Sequence, residues 1–432
     1  MAKMLVVADD LTGAADCGVA CASHGLRTLV VLEEDDGEAD ADALAVDGNT
    51  RYLQRNEAAA ETARLVRKYL RDQDTLLYKK LDSLLRGNVA VELAAALSVR
   101  RALSAGERIV AVLAPAFPAN GRTTVNGQQL VRGKPLEEAA LWQYERRAAR
   151  SFLPGMLNEA HLRSAMVGLD VIRRGAILQN AMKTLAQKAD VLVCDAETDE
   201  DLRAIAVASM ALGRGTVWAG TAGLAHHLPP AAGLTSTPVS IAAEPLAAGP
   251  TLFVVGSGSS VSREQAEALA SRSDAMTIRI APEVLLGGKE LPDWRAHERA
   301  IEEALRAGRD TLIMLAAGPG APEPGIELRF ESAKGPMLAA ALAEIVRPFA
   351  NTAGALVVTG GETARAVFQA WGIGRLRLVG EVEAGLPQAV AAGWTRPLPI
   401  LTKAGAFGKP ETFLRCQQFL RKLNRGGSGN NH

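Results

Sequence analysis

The sequence predicts an α/β protein of two domains, each an open, mainly parallel sheet flanked by helices. Short apolar runs alternate with longer helix-forming segments throughout the chain, which is the order expected of a parallel sheet. Most of these runs are continuously apolar, as is typical of strands covered on both faces. With 432 residues, 48% of them hydrophobic, the chain is long enough for two separate cores.

The strands and helices of the first half follow from this alternation. The predicted strands cover residues 4–8, 28–32, 44–47, 75–79, 109–114, 191–195 and 216–219. The predicted helices cover residues 57–71, 89–105, 176–188 and 199–213.

The second half repeats the alternation after a break rich in proline, alanine and serine. We therefore expect a first domain over 1–232, a linker over 233–249 and a second domain over 250–432. The predicted strands of the second domain cover residues 251–255, 276–280, 311–315, 355–359, 376–379 and 398–401. In open α/β sheets, ligands bind at the carboxyl ends of the strands, so we expect the functional groups there.

Composition excludes some classes of partner. The 48 basic residues balance 48 acidic residues, so no bulk charge attracts nucleic acid or an anionic membrane. The sequence also lacks a signal peptide and a membrane-spanning apolar stretch. The four cysteines form no Cys-x-x-Cys pair, and they are interpreted as reduced thiols of a cytoplasmic protein.

Two carboxylates, Asp9 and Asp10, follow the first strand. Neighbouring residues on an extended chain point in opposite directions, so one aspartate can face a cleft while the other holds the loop. They suit hydroxyl binding, proton acceptance or Mg²⁺ binding. Thr12 and Gly13 can open the next helix as its cap. The alternative is that both aspartates only cap that helix.

A second polar cluster follows the strand that ends near residue 79. Arg86 suits bidentate binding of a carboxylate, and it would share a face with Ser83 if the segment were a helical turn. Arg51 follows another predicted strand. The segment 114–124 also lies at the end of a strand, and it could form a wall or a lid of the site or be a simple connecting loop. The candidate residues of the cluster are Lys80, Leu81, Asp82, Ser83 and Arg86. The alternative is a solvated charged turn.

Three small-residue loops follow strands of the second domain. No Walker A motif and no complete Gly-x-Gly-x-x-Gly fingerprint occurs. Each of the three loops can instead present backbone N–H groups to an anion, and together they predict a nucleotide site. Its candidate residues are Ser257, Gly360, Gly361, Glu362, Thr363, Lys403, Gly405, Ala406, Phe407 and Gly408.

These motifs together resemble the four-carbon acid sugar kinase family over essentially the whole chain. The matching segments are 9–14, 80–88 and 115–123 in the first domain, and the loops at Gly256, Gly360 and Lys403 in the second. One departure is Leu84, where the family often has threonine. The resemblance implies an acid-sugar domain followed by an ATP domain, with the active site in the cleft between them and Mg-ATP as the phosphate donor.

Carried over residue by residue, the resemblance implies that Asp10, Arg51 and residues 80–83 bind the acid sugar. Asp9, Asp10 or Asp82 would act in catalysis, and the ligands of Mg²⁺ are not fixed. D-threonate is the expected substrate, with D-erythronate and 3-oxo-tetronates as alternatives. Two other functions stay open: a sugar-acid sensor without turnover, and an enzyme that forms an acyl phosphate. A homodimer is expected only because dimers are the commonest assemblies of soluble proteins.

Overall fold

A computed structural model describes residues 2–33, 40–70, 72–104, 106–138, 151–237, 247–316, 334–394 and 396–426. The chain divides into two compact units. The first contains Met1–Val31 and Asp36–Pro238, and the second contains Leu32–Asp35 and Val239–His432. Most of the predicted linker 233–249 lies outside the described residues, so the exact domain boundaries stay a prediction.

The first unit contains a parallel sheet of eight strands among its described residues. They are β1 (Met4–Ala8), β2 (Thr28–Val31), β3 (Ala43–Asp47), β4 (Leu76–Lys80), β5 (Ala111–Ala114), β9 (Ser164–Val167), β10 (Val191–Cys194) and β11 (Val217–Gly220). Their order across the sheet is β2-β3-β1-β4-β11-β5-β10-β9, with every neighbouring pair parallel. All seven strands predicted for this half are present, with ends shifted by at most two residues.

A small antiparallel sheet of the first unit is absent from the sequence prediction. It consists of β6 (Arg122–Val125), β7 (Gln128–Val131) and β8 (Lys134–Pro135). Its strands are short and polar, so they lack the apolar signal of buried strands. Asn126 and Gly127 both have positive φ, at 51° and 71°, as a two-residue hairpin turn requires. The Asn-Gly pair was therefore an available hairpin signal.

The helices of the first unit lie between the strands. They are α1 (Leu11–Ala22), α2 (Arg55–Tyr69), α3 (Val89–Leu103), α4 (Leu153–Glu159), α5 (Leu169–Ile172), α6 (Leu178–Ala186), α7 (Asp199–Ser209), α8 (Ala222–Ala225) and α9 (Leu228–Ala231). The four predicted helices are confirmed, each ending two to four residues earlier than expected. The predicted helix 176–188 begins with a 3₁₀ turn, and 199–213 ends with one.

The core of the first unit explains why its strands are continuously apolar. Residues of β1, β4 and β5 are buried on both faces of the sheet, and the apolar sides of α2 and α3 pack against them. The chain leaves β1 toward β2 on one side and leaves β4 toward the other side. The carboxyl ends of β1 and β4 therefore form a topological switch point, where open sheets bind ligands.

The second unit contains a mainly parallel sheet of seven strands among its described residues. They are β12 (Thr251–Val255), β13 (Met276–Ile280), β14 (Thr311–Leu315), β15 (Ala355–Thr359), β16 (Arg375–Glu381), β17 (Pro387–Ala391) and β18 (Pro399–Lys403). Their order is β13-β14-β12-β15-β18-β17-β16, and only the pairs that involve β17 are antiparallel. The sequence prediction missed β17, which begins at a proline.

The helices of the second unit are α10 (Ser260–Arg272), α11 (Pro282–Gly287), α12 (Pro292–Arg306), α13 (Lys334–Val346), α14 (Gly361–Trp371) and α15 (Thr412–Gly426). The strands β12, β14 and β15 with the helices α10 and α15 enclose a second apolar core. The two-domain α/β fold class predicted from the sequence is confirmed. Across the described residues, no helix is long and apolar enough to cross a membrane.

Candidate functional site

The predicted acid-sugar residues meet at the carboxyl ends of β1, β3 and β4. The backbone carbonyl of Asp9 accepts hydrogen bonds from the amides of Thr50 and Arg51, at 3.0 and 3.3 Å. The loop after β3 is thereby fixed beside the loop after β1. Asn88 donates through Nδ2 to the carbonyls of Thr50 and Leu53, at 3.3 and 2.9 Å, which ties the loop after β4 to the same place.

Arg51 joins the three candidate catalytic aspartates. Its Nε lies 2.7 Å from Asp9 Oδ2, its Nη1 lies 2.8 Å from Asp10 Oδ2, and its Nη2 lies 3.6 Å from Asp82 Oδ1. The side chain is only 10% exposed. Burial alone would lower the pKa of Arg51, but the three carboxylates outweigh it and raise that pKa. Arg51 is therefore a permanent charge at the centre of this cluster. In the sequence alone, nothing distinguishes it from an arginine on the protein surface.

Asp10 contacts Arg51 and also caps the helix α1. Its Oδ1 accepts from the Gly13 amide at 2.9 Å, and its Oδ2 accepts from the Thr12 hydroxyl at 2.7 Å. Asp10 is thus the N-cap of α1, so the expectation that Thr12 and Gly13 open the helix as its cap is wrong. Burial favours a raised pKa for Asp10, but Arg51 and Lys80 outweigh it and the pKa is lowered.

Asp82 closes the loop after β4. Its Oδ2 accepts from the amides of Leu84 and Arg86, and the Arg86 guanidinium contacts both carboxylate oxygens at 2.8 and 2.9 Å. The loop is irregular, with a φ of 56° at Leu85, so Ser83 and Arg86 do not share the face of a helical turn. Despite burial, Arg86 and Arg51 hold the pKa of Asp82 far below its ordinary value.

Lys80 differs from the two arginines of the cluster. Its side chain is buried, yet in the described part of the chain its ammonium makes no direct ion pair or hydrogen bond. Burial would lower the pKa of Lys80, but the charges around it, including Asp9 and Asp10, raise it. Lys80 is therefore the cation of this cluster that keeps its hydrogen-bond donors for an incoming anion.

Asp9 is the carboxylate of the cluster with an unused oxygen. Its Oδ2 contacts Arg51, whereas its Oδ1 is buried and accepts no hydrogen bond from the residues that the structure describes. A buried acceptor without a partner costs about 1–3 kcal/mol. A hydroxyl donor that arrives with a ligand would remove that cost.

The remaining first-unit candidates help to shape the loop. The Leu81 amide donates to the Gly220 carbonyl at 2.8 Å, and the Leu81 side chain joins the core. The Ser83 carbonyl accepts from Gln129 Nε2 at 3.2 Å. Gln129 also donates to the Pro115 carbonyl and accepts from the Thr124 hydroxyl. It therefore connects the small sheet to the candidate site.

Arg122 is a second residue of the small sheet that the sequence analysis did not single out. It begins β6, two residues before Thr124 and so on the same face of the strand. Its Nε is buried without a hydrogen-bond partner among the described residues. Burial lowers the pKa of Arg122, and the nearby charges of Arg132 and Arg86 also favour a lower value, against Asp82. A further cation thus lies near the cluster.

The three predicted glycine loops of the second unit come together. A Cβ placed on Gly256 would lie 2.2 Å from Thr363 Oγ1, and one placed on Gly405 would lie 2.1 Å from Ser257 Oγ. Gly360 has a φ of 93°, and a Cβ there would lie 3.6 Å from Ser257 Cβ. The loops after β12, β15 and β18 therefore touch at positions where only glycine fits without displacement.

The loop 404–409 turns its carbonyl groups into the protein. Ser262 Oγ donates to the Gly405 carbonyl at 2.7 Å, and Gln265 Nε2 donates to the carbonyls of Phe407 and Lys409, both at 3.0 Å. Ser262 and Gln265 lie three residues apart on one face of α10, and neither is among the residues predicted from the sequence. Their polar side chains in a buried helix face were the available signal.

The amide groups of this loop point the other way. In the described part of the chain, the amides of Gly405, Ala406 and Gly408 donate to no protein acceptor. Together with the N-terminus of α14 at Gly361, they form a set of donors suited to phosphate oxygens. Glu362 lies in the first turn of α14, as predicted. Among the described residues, no cluster of three or more metal-ligating side chains occurs.

Two family models match this chain. The model of a sugar-binding N-terminal domain matches residues 4–228, and that of a nucleotide-binding C-terminal domain matches residues 252–413. The nucleotide-binding match supports the use of ATP.

Two curated relatives and one solved structure match nearly the full chain. A D-threonate kinase of Cupriavidus necator is 40% identical, covering 96% of this chain and 97% of that protein. A D-threonate kinase of Bordetella bronchiseptica is 33% identical, with the same two coverages. A Salmonella typhimurium structure described as a putative tRNA synthase is 22% identical, covers 97% of this chain and all of that one, and has a TM-score of 0.77. This last likeness concerns the fold alone.

Proposed function

Because the chain belongs to the four-carbon acid sugar kinase family, we propose that it transfers the γ-phosphoryl group of ATP to the 4-hydroxyl of D-threonate. Membership in this family makes it a phosphotransferase with an alcohol acceptor. D-erythronate and 3-oxo-tetronates are the alternative substrates. The stereochemistry of the acceptor depends on the shape of the pocket, so the choice of D-threonate rests on the named relatives.

The observation that carries this proposal is the cluster around Arg51. Three carboxylates, Asp9, Asp10 and Asp82, share one buried arginine. Beside them, the Lys80 ammonium donates to none of the residues that the structure describes. A sugar acid offers one carboxylate and several hydroxyl groups, and these match a free ammonium and carboxylate acceptors. An uncharged sugar would leave Lys80 without an anionic partner.

Each residue of the cluster then has a role. Lys80 binds the carboxylate of the sugar acid, with Arg51 and Arg86 adding positive charge nearby. Asp82 positions the two arginines, because both of its oxygens are already occupied. Ser83 binds a sugar hydroxyl.

Asp9 is the proposed acceptor of the proton from the attacking 4-hydroxyl. Its Oδ1 has no hydrogen-bond partner among the described residues, whereas both oxygens of Asp10 accept hydrogen bonds. Phosphoryl transfer depends mainly on alignment and charge stabilisation, so a modest base is sufficient. Near-normal turnover of Asp9→Asn would overturn this assignment, and Asp10→Asn tests the alternative base in the same way.

ATP is proposed to bind through its phosphates to the loops at Ser257, Gly360 and Gly405. Mg²⁺, when bound with ATP, neutralises phosphate charge and needs only one or two protein carboxylates. Glu362, in the first turn of α14 beside these loops, is the carboxylate proposed to hold it, through water. Transfer also requires the sugar hydroxyl and the γ-phosphate to be brought in line.

The test is ADP release from Mg-ATP with each four-carbon sugar acid in turn. Turnover with D-threonate and none with the matching aldose supports the proposal. A sensor would bind both ligands without releasing ADP, and an acyl phosphate product would react with hydroxylamine. A cytoplasmic location and a homodimer stay predictions, to be tested by cell fractionation and by light scattering.

A further inference from the structure

Lys403 ends β18 and carries a buried ammonium group in the second unit. Its side chain is 1% exposed. The Nζ donates to the carbonyls of Ala404 at 2.8 Å, Gly405 at 3.2 Å and Phe407 at 2.8 Å. It also lies 3.4 Å from Ser262 Oγ and 5.8 Å from the centre of the Phe413 ring.

No carboxylate neutralises this ammonium directly among the residues that the structure describes. The charged group that faces it is Glu383, which forms an ion pair with Arg415 at 3.1 Å and accepts from the Thr412 hydroxyl. A buried charge is costly unless it is paired or hydrogen-bonded. Here the three loop carbonyls supply the compensation, as they would for a bound metal cation.

The direction of the peptide groups links Lys403 to the nucleotide loop. In a trans peptide, the carbonyl and the following N–H point in opposite directions. Turning the carbonyls of residues 404, 405 and 407 toward Lys403 therefore turns the amides of residues 405, 406 and 408 away from it. These three amides are the ones without a protein acceptor in the described part of the chain.

We propose that Lys403 is a positioning residue that holds the loop 404–408 with its amides ready for the ATP phosphates and does not itself contact the nucleotide. This inference rests on the proposed binding of ATP at the glycine loops. It changes the role of Lys403 from the nucleotide contact predicted from the sequence, because the donors of its ammonium are already used by carbonyls. The ammonium occupies the place that a bound cation would take in such a ring of oxygens.

A pH dependence follows from this arrangement. Burial lowers the pKa of Lys403 to about 7, against the weaker opposing effects of Cys416 and Glu383. Above this pH the neutral amine has two N–H donors for three carbonyls, so the loop loses part of its support. ATP binding should weaken as the pH rises through about 7. Since phosphate groups of ATP also titrate near this pH, the comparison must be made with a variant that lacks the amine.

The first experiment uses Lys403→Met in the full chain, with calorimetric titration of a non-hydrolysable ATP analogue in the absence of sugar acid. We expect binding to weaken about 10- to 100-fold, as for the loss of hydrogen bonds from a charged group, with the pH dependence near 7 reduced. Sugar-acid binding should stay unchanged. The matched control is Arg396→Met, which removes a cation that donates to the carbonyls of Ala350 and Ala353, outside the loop.

The second experiment is chemical rescue of Lys403→Ala. Ammonium ions can donate to the exposed carbonyls and should restore binding of the analogue, whereas tetramethylammonium, with the same charge and no donor, should not. Equal binding by wild type and Lys403→Met would overturn the inference, as would equal effects of the two ions. Both readouts measure nucleotide binding alone. If wild-type protein binds the analogue but phosphorylates no four-carbon acid, the proposed function fails while this inference remains testable.

Discussion

The contact between Gly405 and Ser257 gives a quantitative test of the nucleotide site. In Gly405→Ala, the new Cβ would lie 2.1 Å from Ser257 Oγ and 3.1 Å from Ser257 Cβ. Ordinary contacts begin at 3.4 Å, so the hydroxyl oxygen must move away by about 1.3 Å, the difference between these two distances. Rotation of the hydroxyl would break its hydrogen bond from the Ser259 amide, which is 3.2 Å long.

The expected cost follows from overpacking. Inserting a methyl group into a packed site costs about 1–3 kcal/mol. Since about 1.4 kcal/mol corresponds to a factor of ten, KM for ATP should rise about 5- to 150-fold if the loops can bind ATP only in their present arrangement. KM for the sugar acid should change little, because its proposed residues lie in the first unit.

The assay is steady-state ADP release with varied ATP, supported by direct nucleotide titration. Gly374→Ala is the control, because among the described residues a Cβ there meets only the side chain of Glu33, at 3.4 and 3.8 Å. Ser257→Ala combined with Gly405→Ala removes the 2.1 Å contact and should recover part of the loss. An unchanged KM for ATP in Gly405→Ala would refute the reasoning that these loops bind the phosphates.

Three further predictions concern the first unit. Asp9→Asn should lower kcat about 100- to 10,000-fold, as for the loss of a general base, with KM for ATP unchanged in the same assay. Lys80→Met should raise KM for the sugar acid more than KM for ATP; equal changes would contradict its role at the carboxylate. Asp82→Asn should lower the free energy of unfolding in urea by about 3 kcal/mol, since Arg86 then loses its buried partner. The wild-type pKa of Asp82 is lowered by folding, so its contribution to stability is present above the unfolded pKa of about 3.9 and declines as the pH falls below it; an equal acid sensitivity in both proteins would contradict this.

The sequence was most informative where strands are buried and motifs follow them. Continuous apolar runs located β1 and the other central strands, because burial on both faces requires such runs. The short strands β9 and β6 to β8 were missed because they are only partly buried. The strand β17 is buried, but it begins with Pro387 and Gln388 and so lacks a continuous apolar run. The order of the strands in each sheet could not be predicted either, because the periodicity of a sequence reports only local structure.

The sequence also could not show which side chains of the candidate site contact one another. The polar motifs gave the positions of Asp9, Asp10 and Asp82, but only the fold shows that all three meet one arginine, Arg51. Gln129 carried no signal, because its link to the site runs through Ser83 and Pro115, which lie 46 and 14 residues away in the sequence. Contacts between residues that are distant in the sequence determine which side chains have hydrogen-bond donors available for a ligand. These contacts are fixed by the tertiary structure.

The measurement that tests the account most directly is ADP release from Mg-ATP with D-threonate, D-erythronate and 3-oxo-tetronates, and with four-carbon aldoses and five-carbon acids as controls. The account predicts turnover with a four-carbon acid, D-threonate first, and none with the uncharged aldoses. Binding of ATP without turnover of any four-carbon acid, or equal turnover of acids and aldoses, would contradict it.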